Sequence, residues 1–318
     1  MIRRASETLR VPACPEHPYT PVIRNLPPRA GARSLRVVAF NAAGGARTNE
    51  IVRRLSAPPL AGSSIILLCE ADWRTRRSGR REVASELAQR LSMSMAYLPE
   101  FGRPMGGAVG AAFMGNAILS AAPLEEVRVI AMPDPSPESA RKLRPGYAGG
   151  FAGMAARAKF GSRSLWIGVV HLHSRCGPAG RALQLAEFLA GFPDEGAAVF
   201  GGDLNSTTTE LNGPLSFART FGAMLLKPRR FKDPVRYEPM FERINAAGFD
   251  IEEANLQGYP TFTFSRVIPP LFRPRLDWIA LRGVRAAANS AAVIPARWDF
   301  ISRRFSDHDF ITVAVDSG

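Results

Sequence analysis

The run Ala197–Phe200 is apolar and of strand length, and Gly201 and Gly202 end it. Asp203 and Asn205 follow two apart, so in an extended chain their side chains point the same way. A carboxylate beside an amide at a strand mouth can hold a water or a phosphoryl oxygen. An ordinary polar turn uses the same residue types. Repetition separates the two readings. Asn41 closes the run Leu35–Phe40, Glu70 closes Ile65–Cys69, and His171 and His173 follow Ser164–Val170. Asp277 stands near the start of Arg275–Leu281, and Asp307 and His308 precede Phe310–Val315. Six strand boundaries each deliver a polar group at a terminus, where α/β sheets gather their sites. Oxygen donors without paired thiolates suit a hard cation, Mg²⁺ or Mn²⁺.

The elements that must position these groups are strands interleaved with helices. Ser64–Cys69 is apolar throughout, as a strand covered on both faces should be. Thr48–Leu55, Glu82–Leu91, Gly180–Leu189 and Pro239–Ala247 carry helical signals. Met93–Leu98, Ala108–Phe113 and Gly115–Ser120 are expected as three strands, with Leu124–Met132 pairing to the last. Phe151–Phe160 and Ser164–Val170 are expected as a hairpin, and Ala291–Ile294 as a further strand. Residues 206–235 read as polar and basic with weak periodicity, a long insertion over the site. The Pro-rich stretch 133–150, with Arg141, Lys142, Arg144 and Tyr147, reads as a long loop. Residues 1–34 are rich in Pro and Arg and are expected as an extended N-terminal arm; residues 35–318 are expected as one domain.

The chain has 318 residues, enough for a sizeable core, and a formal net charge of +13 supplied mostly by arginine. That excess favours a polyanionic partner: nucleic acid, an anionic lipid surface or a phosphorylated small molecule. Guanidinium groups suit bidentate phosphate contacts. Five of these arginines fall within Arg74–Arg81, a candidate phosphate-contacting rim or a solvated helix entrance. Cys14, Cys69 and Cys176 are odd in number, widely spaced and form no CxxC pair, so neither a zinc site nor a disulfide framework is indicated. No apolar run reaches the length of a membrane span, and Met1–Arg4 lacks a following apolar stretch, so a cytoplasmic location is expected.

The ordered blocks Arg36–Asn41, Leu67–Glu70, Gly115–Ser120, Val169–Ser174, Gly201–Asn205, Arg275–Ile279 and Ser306–His308 resemble the endonuclease/exonuclease/phosphatase superfamily. Gly-Asp-x-Asn with a later Ser-Asp-His is the specific pair of motifs, and the likeness runs over residues 35–316. The resemblance implies a deoxyribonuclease I-like four-layer α/β sandwich: two packed mixed sheets with helices outside and the site at one end. It implies Glu70 as main metal ligand, with Asn41 and Asp307 close to the ion. Asp203 would orient or deprotonate the attacking water, and Asn205 would hold a phosphoryl oxygen. His308, paired with Asp277, would contact the phosphate or move a proton, and His171 would assist the leaving group. Asn116, Arg157 and His173 are the further candidate substrate contacts. Glu70-Ala-Asp72 carries a second acid where apurinic endonucleases typically place Thr-Lys, closer to the sphingomyelinase-like branches.

The expected activity is phosphodiester hydrolysis, with nucleic acid as the leading substrate and backbone phosphates as the source of affinity. A phospholipid headgroup or inositol phosphate is the alternative, with Ile268–Phe272 as a candidate membrane-facing lip. A non-catalytic binding module is a third reading, disfavoured by the full set of polar residues. The superfamily core does not choose among these, and oligomeric state is not legible.

Overall fold

A computed structural model describes residues 17–28, 34–103, 111–135, 148–263, 269–299 and 302–316. The strands, in chain order, are β1 (Val22–Arg24), β2 (Ser34–Gly44), β3 (Ile65–Trp73), β4 (Ser94–Arg103), β5 (Ala112–Ser120), β6 (Leu124–Ala131), β7 (Ala148–Gly149), β8 (Ala152–Phe160), β9 (Arg163–Val169), β10 (Ala198–Asp203), β11 (Asp277–Arg282), β12 (Ala292–Ile294) and β13 (Phe310–Asp316). The helices are α1 (Thr48–Leu55), α2 (Val83–Leu91), α3 (Pro178–Gly191), α4 (Pro214–Leu226), α5 (Pro228–Lys232) and α6 (Met240–Ala246).

The first sheet runs β1-β4-β5-β3-β2-β13-β12, with β7 also on β4; the second runs β11-β10-β9-β8-β6. Both are mixed: β2–β3 and β9–β10 are parallel, their neighbours antiparallel. Side-chain alternation along β2 shows why two sheets stack. Val37 and Ala39 meet Ile167, Val169, Val199 and Ile279 between the sheets. Val38 and Phe40 face outward onto Ile51 and Leu55 of α1 and Leu87 of α2. On the far side, Phe200 and Trp278 pack against Phe188 of α3 and Phe241 of α6. The central strands are thereby buried on both faces, and the result is the expected four-layer sandwich.

Local expectations differ from the structure in four places. Leu124–Ala131 pairs with β8 in the second sheet, not with β5. The alternation of Leu124–Met132 specifies a half-buried strand but not its neighbour. Pro123 and the bidentate Asn25 side chain, which donates to the Leu124 carbonyl (3.0 Å) and accepts its N–H (2.8 Å), turn the chain across to the other sheet. Ala112–Ser120 is one strand, with Gly115 inside it; a Cβ there would stand 2.0 Å from the Leu98 carbonyl, so the glycine marks close strand approach and not a turn. The segment expected as an arm contributes β1, an edge strand on β4 whose Val22 is fully buried. Residues 206–235, expected to lack strong periodicity, hold α4 and α5. Residues 136–147, with Arg141, Lys142, Arg144 and Tyr147, and Ile268 of the candidate lip lie outside the described residues.

Candidate active site

Two irregular strand ends build one wall of the site. β2 shifts register between Asn41 and Gly44, and β3 between Leu68 and Ala71. Glu70 sits in the second bulge with φ +50°, which turns its carboxylate out of the sheet alternation. A bulge re-aims a side chain at little cost to the rest of the ladder, and both bulges lie at the same end of the sandwich. The facing wall comes from β10. Gly202 has φ +142°, and a Cβ there would lie 2.1 Å from the Val170 carbonyl, so the second glycine of the Gly-Gly-Asp motif is a backbone requirement.

Asp203 is the centre. Its Oδ2 accepts from Asn41 Nδ2 at 2.9 Å and lies 3.5 Å from His308 Nε2 and 3.7 Å from His171 Nε2. Its Oδ1 accepts the Asn205 N–H at 2.9 Å. Asp277, directly opposite Asp203 in the β10–β11 ladder, bonds His308 Nδ1 at 2.8 Å. That bond leaves His308 Nε2 as the nitrogen facing Asp203. Ser306 fixes the loop carrying the histidine: its hydroxyl donates to the Asn41 carbonyl at 2.7 Å and accepts the His308 N–H at 3.1 Å.

Burial and charge set the protonation states. Burial opposes a charge on His308, but Asp277 and Asp203 outweigh it and raise the ring to about 10. Burial pushes the Asp203 carboxyl up to about 6, with His308 pulling against it and Asp277 adding to the rise. Burial also acts to raise Glu70, yet His171, Arg77 and His308 together bring it below its ordinary value. His308 is therefore a buried imidazolium beside the raised Asp203 carboxyl near neutral pH.

A hard divalent cation fits the donor set. Glu70 is half-buried and Asp307 is exposed, with Ser306 Oγ 3.5 Å from Asp307 Oδ1. The resemblance makes Glu70 and Asp307 the candidate holders of the ion. Asn41 lies beside Glu70, the main metal ligand that the resemblance implies. Its Oδ1 accepts the Ala43 N–H at 2.9 Å, and its Nδ2 faces Asp203 and, at 3.4 Å, Glu70. Two carboxylate oxygens require the donor side of the amide, so Asn41 is a spacer between the acids. Asp203, Asp277 and His308 also bring ligand atoms within 4.8 Å of one another, but His308 Nδ1 is already bonded to Asp277. One oxygen of Asp277, Oδ1, is buried with no hydrogen-bond partner.

Of the candidate residues, Asn41, Glu70, His171, Asp203, Asn205, Asp277 and His308 come together, with Asp307 at the rim. Asn205 has φ +48° and spends one amide hydrogen on the Leu172 carbonyl at 2.8 Å, tying β10 to the segment after β9. Three candidate substrate contacts do not reach the site surface. Asn116 is fully buried inside β5; its amide faces the Glu100 carboxyl, near enough to lower it against the dominant effect of burial but outside hydrogen-bond geometry. Arg157 stands opposite Trp166, far down the ladder from His171, and its guanidinium is held by Glu125 and Glu126 of β6. His173 stacks on Phe151 (centroids 4.7 Å apart), accepts the Arg175 N–H at 3.0 Å and lies 3.8 Å from Asp134. Burial lowers its pKa, with Asp134 opposing, so it is a packed neutral ring.

Sequence reasoning left Arg77 within a generic basic run. In the structure Asp72 is fully buried and binds Arg77 bidentately, Nε–Oδ2 and Nη2–Oδ1 both at 2.8 Å, placing the guanidinium 3.5 Å from Glu70 Oε2. The second acid after Glu70 thus orients an arginine. Arg74 and Arg81 are paired with Glu82 and Glu86. Ser306 belongs to the Ser-Asp-His motif, but its role in fixing the loop is not legible there, and Arg77 carries no signal beyond proximity to Glu70, because their partners lie across the fold or around a loop.

A constellation of acids, amides and a buried imidazolium at one end of a double-sheet sandwich defines a phosphoric ester hydrolase. The sequence from 38 to 308 matches the family model described as Endonuclease/Exonuclease/phosphatase family, and the chain belongs to that family, whose members are metal-dependent phosphoric ester hydrolases. No curated protein sequence matches the chain. Among solved structures, an endonuclease/exonuclease/phosphatase from Beutenbergia cavernae superposes with TM-score 0.57 at 18% identity, covering 90% of this chain and 72% of that one. TDP2 from D. rerio, complexed with a single-strand DNA product, superposes with TM-score 0.55 at 18% identity over 90% of this chain and 100% of that one. Sphingomyelinase C from Streptomyces griseocarneus gives 0.50 at 14% identity, over 89% and 99%. At these identities the likeness is one of fold.

Proposed function

We propose that the protein hydrolyses phosphodiesters by in-line attack of water, with nucleic acid as substrate and Mg²⁺ or Mn²⁺ as cofactor. The observation that carries the chemistry is the convergence on Asp203 Oδ2 of Asn41, His308 and His171, delivered by three different parts of the fold. Asp203 orients the attacking water and takes up its proton. His308, charged and steadied by Asp277, donates to the phosphoryl group as negative charge gathers there, an interaction stronger in the transition state than in the ground state. Asn205 adds an amide donor on the same side, and His171 stands at the leaving-group side. When bound at Glu70 and Asp307, the cation supplies Lewis-acid stabilisation of the phosphoryl oxygens.

The choice of nucleic acid rests on the net charge of +13 and its arginine character, which suit repeated backbone phosphates. The purified protein should be assayed in Mg²⁺ or Mn²⁺ against supercoiled DNA, single-stranded DNA, RNA, sphingomyelin and inositol polyphosphates, with EDTA and Glu70→Ala controls. Cleavage of a nucleic acid, abolished by both controls and falling steeply with salt, is the expected result. Cleavage confined to the lipid or the inositol phosphates would overturn the substrate assignment while keeping the chemistry.

A further inference from the structure

Helix α4 is turned the wrong way round for a surface helix. Its 13 residues, Pro-Leu-Ser-Phe-Ala-Arg-Thr-Phe-Gly-Ala-Met-Leu-Leu, bury only Thr220 and Met224. Thr220 donates inward to Thr209 Oγ1 at 2.9 Å. The apolar side chains look out: Leu226 is 83% exposed, Leu215 65%, Phe217 63% and Leu225 48%, with Phe221 beside them. At 100° per residue, Leu215, Phe221, Leu225 and Leu226 fall within one arc of about 140°, with Arg219 at its edge. An apolar face of this kind, contiguous and rimmed by polar residues, marks a contact surface.

Its surroundings identify the chemistry of the contact. Residues 211–237 carry six basic side chains, Arg219, Lys227, Arg229, Arg230, Lys232 and Arg236, against one acid, Asp233. Lys227 and Arg229 are exposed directly beyond the helix end, and Arg236 lies just after α5. Arg230 is drawn inward, bonding the Thr208 hydroxyl and carbonyl at 2.9 and 2.7 Å, which anchors the segment. At the start of the helix, Leu211, Pro214 and Phe217 line an open cleft of about 610 Å³ together with Ser174 and Arg175.

We propose that α4 and the basic residues following it form a docking surface for an anionic lipid bilayer, bound peripherally with the helix lying in the interface. The aliphatic face enters the headgroup boundary while the cations meet anionic headgroups. The same features disfavour other occupants. A second copy docked through a two-fold axis would set one basic cluster against another. Nucleic acid would gain nothing from Leu215, Leu225 and Leu226. No described helix is long and apolar enough to cross a membrane, so the contact is superficial. The proposal does not depend on which phosphodiester is cleaved, and its test requires no turnover.

The full-length protein should be floated with vesicles of phosphatidylcholine alone and of phosphatidylcholine with phosphatidylglycerol. Flotation with the anionic vesicles only, weakened by salt, is expected. Leu225→Glu/Leu226→Glu should lower the bound fraction about ten-fold or more, and Lys227→Glu/Arg229→Glu should lower it several-fold and flatten the salt dependence. All four side chains are exposed, so circular dichroism melts should match the wild type; the milder Leu226→Ala, expected to weaken binding about two- to three-fold, provides a second readout. Absence of flotation with anionic vesicles would overturn the proposal. So would unchanged binding by the leucine variants. A wild-type dimer in light scattering that those variants convert to monomer, or a loss of single-stranded DNA binding in place of vesicle binding, would assign the face to another partner and overturn it equally.

Discussion

Two buried charge clusters flank the same stretch of chain, residues 203–209, and they are built on opposite terms. On one side Arg181 and Glu238, both fully buried, are saturated. Arg181 Nε donates to Glu238 Oε2 at 3.2 Å and Nη2 to Oε1 at 2.6 Å; its remaining donors reach the carbonyls of Cys176 and Thr209. Glu238 Oε1 also accepts the Thr208 N–H at 2.7 Å. On the other side Asp203 collects two imidazoles at 3.5 and 3.7 Å, beyond good hydrogen-bond length, and Asp277 Oδ1 has no partner at all. The first cluster pins the 206–238 insertion to α3. The second gathers an amide, a backbone N–H and two imidazoles around one carboxylate, Asp203. A closed ion pair holds structure; several ionisable groups converging on one carboxylate mark a candidate site.

Mutations can break this contrast. His308→Ala removes the buried cation that stabilises developing charge, and kcat should fall about 10³-fold; because Asp277 and Asp203 lose their counter-charge, the melting temperature should also fall near neutral pH, so steady-state hydrolysis is read well below the variant's melting transition. Arg181→Met leaves Glu238 buried without a counter-charge and should cost about 3–5 kcal/mol in urea denaturation, whereas Arg181→Met/Glu238→Leu should recover much of that loss. Asp277→Asn keeps the shape but removes the charge that steadies His308; kcat should fall about 10- to 100-fold with KM little changed. The smallest effect belongs to Arg77→Ala, where a half-exposed guanidinium next to Glu70 is lost. A rise in KM of a few-fold, vanishing at high salt, is expected from salt-titrated kinetics.

How legible each part was follows from where its information lies. The two-sheet sandwich and the strands carrying Asn41, Glu70, Asp203 and Asp277 were readable because apolar runs of strand length end on polar residues. Strand partnership was not: Leu124–Met132 alternates identically whichever sheet it joins, and Pro123 with Asn25 decides the matter across nearly a hundred residues of sequence. Asn116 and Arg157 misled for the same reason. A polar residue at a strand end looks the same whether it lines a mouth or lies buried beside Glu100, and an arginine does not announce Glu125 and Glu126 as its partners. The donor side of Asn41 became visible only when two carboxylates faced it. The inverted face of α4 was hidden because helix periodicity does not say which side the rest of the molecule covers.

The most direct measurement is the Asp203→Asn variant, which preserves size and most hydrogen bonds and changes only the charge at the shared oxygen. Hydrolysis of bis(4-nitrophenyl) phosphate should be followed in Mn²⁺ for wild type and variant, with thermal melts in parallel. A fall in kcat of about 10³-fold or more at an unchanged or raised melting temperature is the predicted result. A variant that turns over within a few-fold of the wild type would contradict the placement of Asp203 at the centre of the chemistry.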